Sequence, residues 1–132
     1  MAKQSMDKYG IGGLIAAPHT PMHRDYSLNT EIINIQSHTL QQNGVEGAFL
    51  CGTTGEGMVL TESERKRVAS EWVAQTGGEL SIIVHVGSSR LAQAKRLASH
   101  AEQELQVDAI AAMGPVIFKT ETVEALVEYC AK

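Results

Sequence analysis

Four short apolar segments recur along the chain, each bounded by glycine, proline or polar residues. They cover residues 13–18, 47–52, 81–87 and 109–115. Each segment is apolar at consecutive positions, which is typical of a strand buried on both faces in a parallel sheet, although a buried helix gives the same periodicity. Short crossovers place consecutive strands side by side, so the pattern predicts four adjacent parallel strands in chain order.

Helical periodicity fills the intervals and predicts four helices, over 29–43, 61–78, 89–104 and from about Thr120 onward. Gly44 suits the end of the first helix, and Thr61 and Glu64 have the spacing of a capping box at the start of the second. The apolar positions expected to pack are Ile32, Ile33, Ile35, Leu40, Val68, Trp72, Val73, Leu91, Ala94, Leu97, Ala98, Ala101, Val123, Leu126 and Val127.

The fourfold alternation of strand and helix specifies an α/β fold with a parallel sheet. Right-handed crossovers leave two architectures, a barrel and an open doubly wound sheet. The 132 residues, 43% of them apolar and 20% charged, have the size and composition of one globular domain over 1–132. In both architectures the chemistry collects where the strands end at their carboxyl termini.

The sequence "GTTGE" follows the second predicted strand, at such an end. Gly52 and Gly55 permit a tight turn and the close approach of another molecule. The hydroxyls of Thr53 and Thr54, with backbone N–H groups freed by the turn, are suited to binding a small anionic group. The alternative is a purely structural strand-to-helix turn, whose polar side chains only form hydrogen bonds with the backbone. The position of "GTTGE" at the carboxyl end of a strand favours a binding site.

Composition and charge exclude several classes of protein. Eleven Lys and Arg against fifteen Asp and Glu give a net charge of −4, and the only basic cluster, at 64–67, lies in a helical pattern, so we expect no nucleic-acid partner. Cys51 and Cys130 lack the spacing of metal ligands and favour a reduced, cytoplasmic chain without a metal. The N-terminus lacks a signal peptide's apolar region and no apolar segment reaches the length of a membrane span, so we expect no membrane partner.

Three longer stretches resemble a known family, the pyruvate-dependent lyases and synthases related to N-acetylneuraminate lyase and dihydrodipicolinate synthase. They are "GLIAAPHTPM" at 13–22, "GVEGAFLCGTTGEGMVLTESER" at 44–65 and "IIVHVG" at 82–87. The second is the most specific, since it combines a glycine turn, a threonine pair, a glutamate and the downstream "LTESER". The resemblance extends from about Gly12 to the last residue.

The resemblance implies a (β/α)8 barrel of which this chain contains the first four βα units, because a full barrel needs about 250 residues. It implies a class I aldolase, in which a lysine forms a Schiff base with pyruvate and no other cofactor is needed. Thr53 and Thr54 would then bind the pyruvate carboxylate, and Glu56 would brace the turn by accepting backbone hydrogen bonds rather than transfer protons. Pyruvate and sialic acid are the implied substrates, and a homo-oligomer is the implied assembly.

Two details of the resemblance favour the sialic acid lyase branch over the synthases. The third strand ends in "HVG" at 85–87, where synthases usually have a Gly-Thr-Gly type of sequence. Val116 and Ile117 stand where synthases typically have two tyrosines, the second of which serves a proton relay. The relay tyrosine of the synthases is therefore absent from this position.

The resemblance also places the Schiff-base lysine on a sixth strand and the catalytic tyrosine on a fifth, and neither strand occurs in these 132 residues. Lys119, after the fourth strand, lies at the correct end, but we expect it to be solvated and hence unreactive. His85 is expected to be a satisfied core histidine, and His19 and His23 to decorate a loop.

Three functions remain open from the sequence. The first is an N-acetylneuraminate-cleaving aldolase, and the second is a dihydrodipicolinate synthase or another 2-keto acid aldolase of the family. The third belongs to another class, an inactive half-barrel that acts only by self-association. A shared barrel fold does not separate them, because one barrel carries many chemistries.

Overall fold

The computed structural model of the chain describes residues 10–115 and 119–132. Four strands alternate with helices. The strands are β1 (Ile15–Ala16), β2 (Gly47–Leu50), β3 (Ser81–His85) and β4 (Ala109–Ala111). The helices are α1 (Glu31–Gln42), α2 (Glu62–Thr76), α3 (Leu91–Ser99), a π-helix (His100–Glu104) that continues α3, and α4 (Val123–Cys130).

The strands form one parallel sheet in the order β1-β2-β3-β4, which confirms the prediction of adjacent parallel strands in chain order. Each strand is shorter than the apolar segment that predicted it. The reason is clearest at β2, where Cys51 has a φ of 56° and turns the backbone out of the extended conformation. The apolar segments therefore include the first residues of the loops at the carboxyl ends.

The start of α2 follows its sequence signal. The Thr61 hydroxyl accepts a hydrogen bond from the Glu64 amide, and the Glu64 carboxylate accepts one from the Thr61 amide at 2.7 Å, which completes the predicted capping box. Gly77, with a φ of 57°, ends the helix in the left-handed conformation that glycine adopts without strain.

The third predicted helix, 89–104, is divided into α3 and a π-helical turn. The wider turn is closed by the Leu105 amide, which donates to the His100 carbonyl at 3.1 Å. The His100 ring is held at the same place by Ser70 of α2, 3.2 Å from Nε2, and by Glu104, 3.0 Å from Nδ1. The π-turn thus directs the His100 ring toward α2.

The core lies between the sheet and helices α1, α2 and α3. Trp72 of α2 is 1% exposed, as the prediction of a core tryptophan requires, and it belongs to one cluster with Ile33, Leu50 and Val84. Ile35 was predicted to pack but is 60% exposed. Ile33 faces the core, and a residue two positions further along a helix points to nearly the opposite side, so α1 can bury only one of the two.

Helix α4 differs most from its prediction. It begins at Val123, because the Thr122 hydroxyl caps it by accepting from the Ala125 amide at 3.1 Å. Its apolar residues Val123, Leu126 and Val127 are 71%, 37% and 62% exposed, so their predicted packing is wrong. Strand β4 is the last strand of the described sheet, and these residues have no further element to cover them within the described ranges.

The sheet has two distinct faces. Ala48, Leu50, Ile82 and Val84 alternate along β2 and β3 and are buried against the helices. The intervening residues point to the opposite side, which we call the inner face and define by Ile15, Phe49, Ile83, His85 and Ala109. All of these except His85 are half-buried.

Among the described residues, no helix combines the length and the apolar character that crossing a membrane requires.

Helices α2 and α3 are joined at the surface by an ion-pair network centred on Glu62. Its carboxylate lies 2.7 Å from Nη2 of Arg96 and 3.3 Å from Nζ of Lys66. Hydrogen bonding from Arg96, and secondarily from Lys66, lowers the pKa of Glu62 from its ordinary value of 4.5 to about 2.

The lowered pKa of Glu62 predicts a loss of stability in acid. A carboxyl group whose pKa is depressed by folding contributes stability above its unfolded pKa, and the contribution disappears as the pH falls from about 4.5 toward 2. We therefore expect Glu62→Gln to lower the free energy of unfolding at pH 7 and to have little effect near pH 2, as measured by urea unfolding across this range. The matched control is Glu79→Gln, since Glu79 has no ion pair among the described residues. A Glu62→Gln effect that does not change with pH would contradict the network's contribution.

Candidate functional site

The parallel sheet brings the loops that follow all four strands to one edge. The turn after β2, residues 51–57, occupies the centre of this edge. The loop after β1 reaches it through Thr20, whose hydroxyl donates to the Gly55 carbonyl at 2.6 Å. The "TP" that follows the first strand in the sequence therefore supports the glycine turn from the neighbouring loop.

The turn folds tightly back on the end of β2. The Gly57 amide donates to the Gly52 carbonyl at 3.1 Å, and the Glu56 amide donates to the Thr53 carbonyl at 3.0 Å. A Cβ atom on Gly57 would lie 1.8 Å from the carbonyl oxygen of Cys51, so only glycine fits there. Close backbone contact thus requires glycine at position 57, whereas a Cβ atom on Gly52 would meet the Phe49 ring at 2.6 Å.

The turn presents Thr53 and Thr54 at the surface, where both are exposed. The backbone amides of Thr53, Thr54 and Gly55 donate to no atom of the residues that the structure describes. Successive free amides with adjacent hydroxyls form a typical site for an anion. The predicted site residues Gly52, Thr53, Thr54 and Gly55 are therefore together in one turn with unused donors.

Glu56 occupies the turn differently from the prediction. Its φ is 55°, and its main chain contributes by donating to Thr53 and accepting from the Val59 amide at 3.0 Å. The side chain is exposed and accepts no hydrogen bond from any described residue. The expected carboxylate brace is thus wrong, and the backbone of Glu56 does the bracing instead.

Arg65 interacts with Cys51 at the start of the turn and was missed by the sequence reasoning. The side chain is 3% exposed, and its guanidinium donates to the Gly87 carbonyl at 2.9 Å and to the His85 carbonyl at 2.5 Å. It thereby joins the first turns of α2 to the end of β3. Its position in the sequence could have indicated a specific role. A cation near a helix N-terminus is unfavourable with respect to the helix dipole, so an arginine there is expected to have another interaction that stabilises it.

His85 ends β3 on the inner face, with its ring 6.2 Å from that of Phe49. A Cβ atom on Gly87 would lie 2.7 Å from Cε1 of His85, so the glycine of "HVG" makes room for the imidazole. The ring is 4% exposed, but neither nitrogen has a hydrogen-bond partner of good geometry among the described residues. His85 is thus a buried histidine, as predicted, and the backbone of Cys51 interacts with its ring without the geometry of a full hydrogen bond.

Burial controls the charge states around Arg65. Burial lowers the pKa of the His85 imidazole below its ordinary value, and the positive charge of Arg65 lowers that pKa further. Burial raises the pKa of the Cys51 thiol to about 11, although Arg65 opposes this. Cys51 and His85 are therefore neutral at pH 7, and Cys51 is not a thiolate nucleophile.

The remaining predicted candidates lie at the surface. None of the lysines within the described residues is buried, including Lys119. His19 and His23 are exposed. Val116 and Ile117, the positions that distinguish the sequence from the synthases, lie outside the described residues.

Comparisons with known proteins agree with this arrangement. Residues 10–131 match the model of the dihydrodipicolinate synthetase family. The N-acetylneuraminate lyase of Rattus norvegicus is 38% identical over 124 residues, which cover 92% of this chain and 38% of the relative. The chain thus spans about two fifths of the length of this relative.

Solved structures give the same result. The Proteus mirabilis N-acetylneuraminate lyase superposes with a TM-score of 0.87 at 45% identity, over 91% of this chain and 40% of that one. The dihydrodipicolinate synthase of Aquifex aeolicus superposes with a TM-score of 0.82 at 27% identity, over 90% and 40%. The four parallel βα units are accordingly half of a (β/α)8 barrel, and the chain belongs to the dihydrodipicolinate synthetase family.

Proposed function

We propose that this chain forms the pyruvate-binding half of an N-acetylneuraminate lyase, a class I aldolase that splits N-acetylneuraminate into N-acetylmannosamine and pyruvate. The observation that carries the proposal is the turn after β2, with free amides at Thr53, Thr54 and Gly55 beside two exposed hydroxyls. A carboxylate accepts several such bonds at once, and charge-assisted bonds are stronger than neutral ones. The free thiols of Cys51 and Cys130 support a cytoplasmic location.

The choice of a lyase over a synthase rests on sequence likeness. Identity to the Proteus mirabilis lyase is 45%, against 27% for the Aquifex aeolicus synthase, at similar structural agreement. A dihydrodipicolinate synthase, or another aldolase acting on a 2-keto acid, is the alternative within the family. The discriminating assay is pyruvate release from N-acetylneuraminate by the product of the chain's source gene, which a synthase would not give.

Self-association is a second candidate function and belongs to a different class. Within the described residues, β1 and β4 each pair on one side only, and Ile15, Phe49 and Ile83 leave the inner face partly exposed and apolar. Unpaired strand edges are templates for pairing with another chain. Two copies related by a twofold axis would supply eight parallel strands, the number in a closed barrel.

Replacing the Thr54 hydroxyl tests the anion site. We expect Thr54→Val to weaken pyruvate binding by about 1.5–3 kcal/mol, the range for a hydrogen bond to a charged group, in a titration followed by NMR amide shifts. Thr39→Val is the matched control, because Thr39 is exposed on α1 and its hydroxyl bonds only within the helix, to Ile35. Unchanged pyruvate affinity in Thr54→Val would remove Thr54 from the site.

Borohydride trapping tests whether the isolated chain performs the chemistry. A Schiff-base lysine must be desolvated to be neutral near pH 7, and the described lysines are not. We therefore expect no pyruvyl adduct by intact mass when the chain is mixed with pyruvate and borohydride. An adduct mapped to a single lysine would overturn this expectation, and Lys119 is the position to examine first because it follows β4.

Light scattering tests the self-association of the chain. We expect the wild-type chain to be larger than a monomer, and Ile83→Glu to dissociate it by placing a charge on the inner face, where a second copy would bury it. Ile35→Glu is the matched control, since Ile35 is exposed on α1. A wild-type monomer, or equal dissociation by both variants, would count against association through the inner face.

A further inference from the structure

Arg65 occupies a position that is electrostatically unfavourable in three respects. Its side chain is 3% exposed, so the guanidinium has lost most of its hydration. It lies near the N-terminus of α2, where the helix dipole repels a cation. It also forms no ion pair with any carboxylate of the described residues.

The acidic residues of the same helical turn are occupied elsewhere. Glu62 binds Arg96 and Lys66, and Glu64 caps the helix through Thr61. The Arg65 guanidinium instead donates hydrogen bonds to the carbonyl oxygens of His85 and Gly87. Its Nε has no hydrogen-bond partner among the described residues. Carbonyl dipoles offset part of a unit charge but leave the cluster positive.

The side chains packed around Arg65 do not neutralise it either. Cys51 and His85 interact with the guanidinium, and burial keeps both of them uncharged at pH 7. An arginine remains protonated even when burial lowers its pKa. The group therefore holds one net positive charge below the end of β2.

This charge is connected to the candidate anion site through Cys51, the first residue of the turn. Cys51 contacts Arg65 and immediately precedes Gly52, while its carbonyl oxygen contacts Gly57 at the other end of the turn. The free amides of Thr53 and Thr54 lie between these two anchor points. A buried charge is screened little by salt or water, so its field acts on whatever occupies the turn.

We propose that Arg65 is a positioning residue that supplies a buried positive charge to the carboxylate held by the turn after β2. The inference rests on the proposed function, since it assumes that a 2-keto acid carboxylate binds at Thr53 and Thr54. Arg65 does not touch the ligand. It fixes the end of β3 through two carbonyls and raises the affinity of the turn for an anion over a neutral molecule of the same shape.

The experiment compares pyruvate with pyruvamide, a neutral analogue of nearly the same shape, by titrating the 132-residue chain and following its NMR amide shifts. Arg65→Gln keeps a hydrogen-bond donor but removes the charge. Arg65→Lys keeps the charge but loses the planar guanidinium that donates to two carbonyl oxygens at once. Arg67→Gln is the matched control, because Arg67 is exposed on the same helix. Circular dichroism checks that each variant is folded.

We expect Arg65→Gln to weaken pyruvate binding on the order of tenfold, the effect of one unit charge at low screening, and to change pyruvamide binding by less than about twofold. Arg65→Lys should keep most of the preference for pyruvate, and Arg67→Gln should keep all of it. If Arg65→Gln weakens the binding of pyruvate and of pyruvamide equally, Arg65 has only a structural role, and the inference is overturned while the proposed function stands. Failure of the wild-type chain to bind pyruvate would overturn both.

Discussion

Parallel pairing of β1 to β4 in chain order is the constraint on which the rest of the structure depends. It places every loop that follows a strand at one edge of the sheet, so Thr20 bonds to Gly55 in the turn after β2, and Gly87 after β3 bonds to Arg65 although both pairs are distant in sequence. It also assigns alternate residues to opposite faces, which buries Leu50 and Val84 under the helices and leaves Ile83 on the inner face. The order of the strands therefore determines both the position of the candidate site and the composition of the core.

Close backbone contact gives the turn its shape, and Arg65 fixes what lies below it. Gly57 packs against the Cys51 carbonyl at a distance that no side chain would allow, and the returning chain leaves the amides of the threonine pair unpaired. Arg65 reaches from α2 to the carbonyls at the end of β3. The "LTESER" stretch thus has two tasks, since Thr61 and Glu64 cap the helix and Arg65 connects it to the sheet.

Electrostatics at this edge favour binding of an anion over reaction by the chain's own groups. Cys51 is held as a thiol and His85 as a neutral imidazole, so neither is an activated nucleophile, while Arg65 remains charged. The described lysines are solvated. This arrangement supports the proposed binding of a carboxylate, and a Schiff-base aldolase also needs a desolvated lysine, whereas no lysine among the described residues is buried.

The sequence by itself determined the four parallel strands, the capping box at Thr61 and the glycine turn, because apolar periodicity, cap spacing and glycine punctuation are local signals. Tertiary structure alone decided the burial of Arg65, the unpaired ring of His85 and the exposure of Ile35 and the α4 apolar stripe. The physical reason is that burial depends on which elements meet in space. The periodicity of the sequence indicates on which side of its own helix or strand a residue lies. It does not indicate whether another element covers that side or whether a hydrogen-bond partner is within reach.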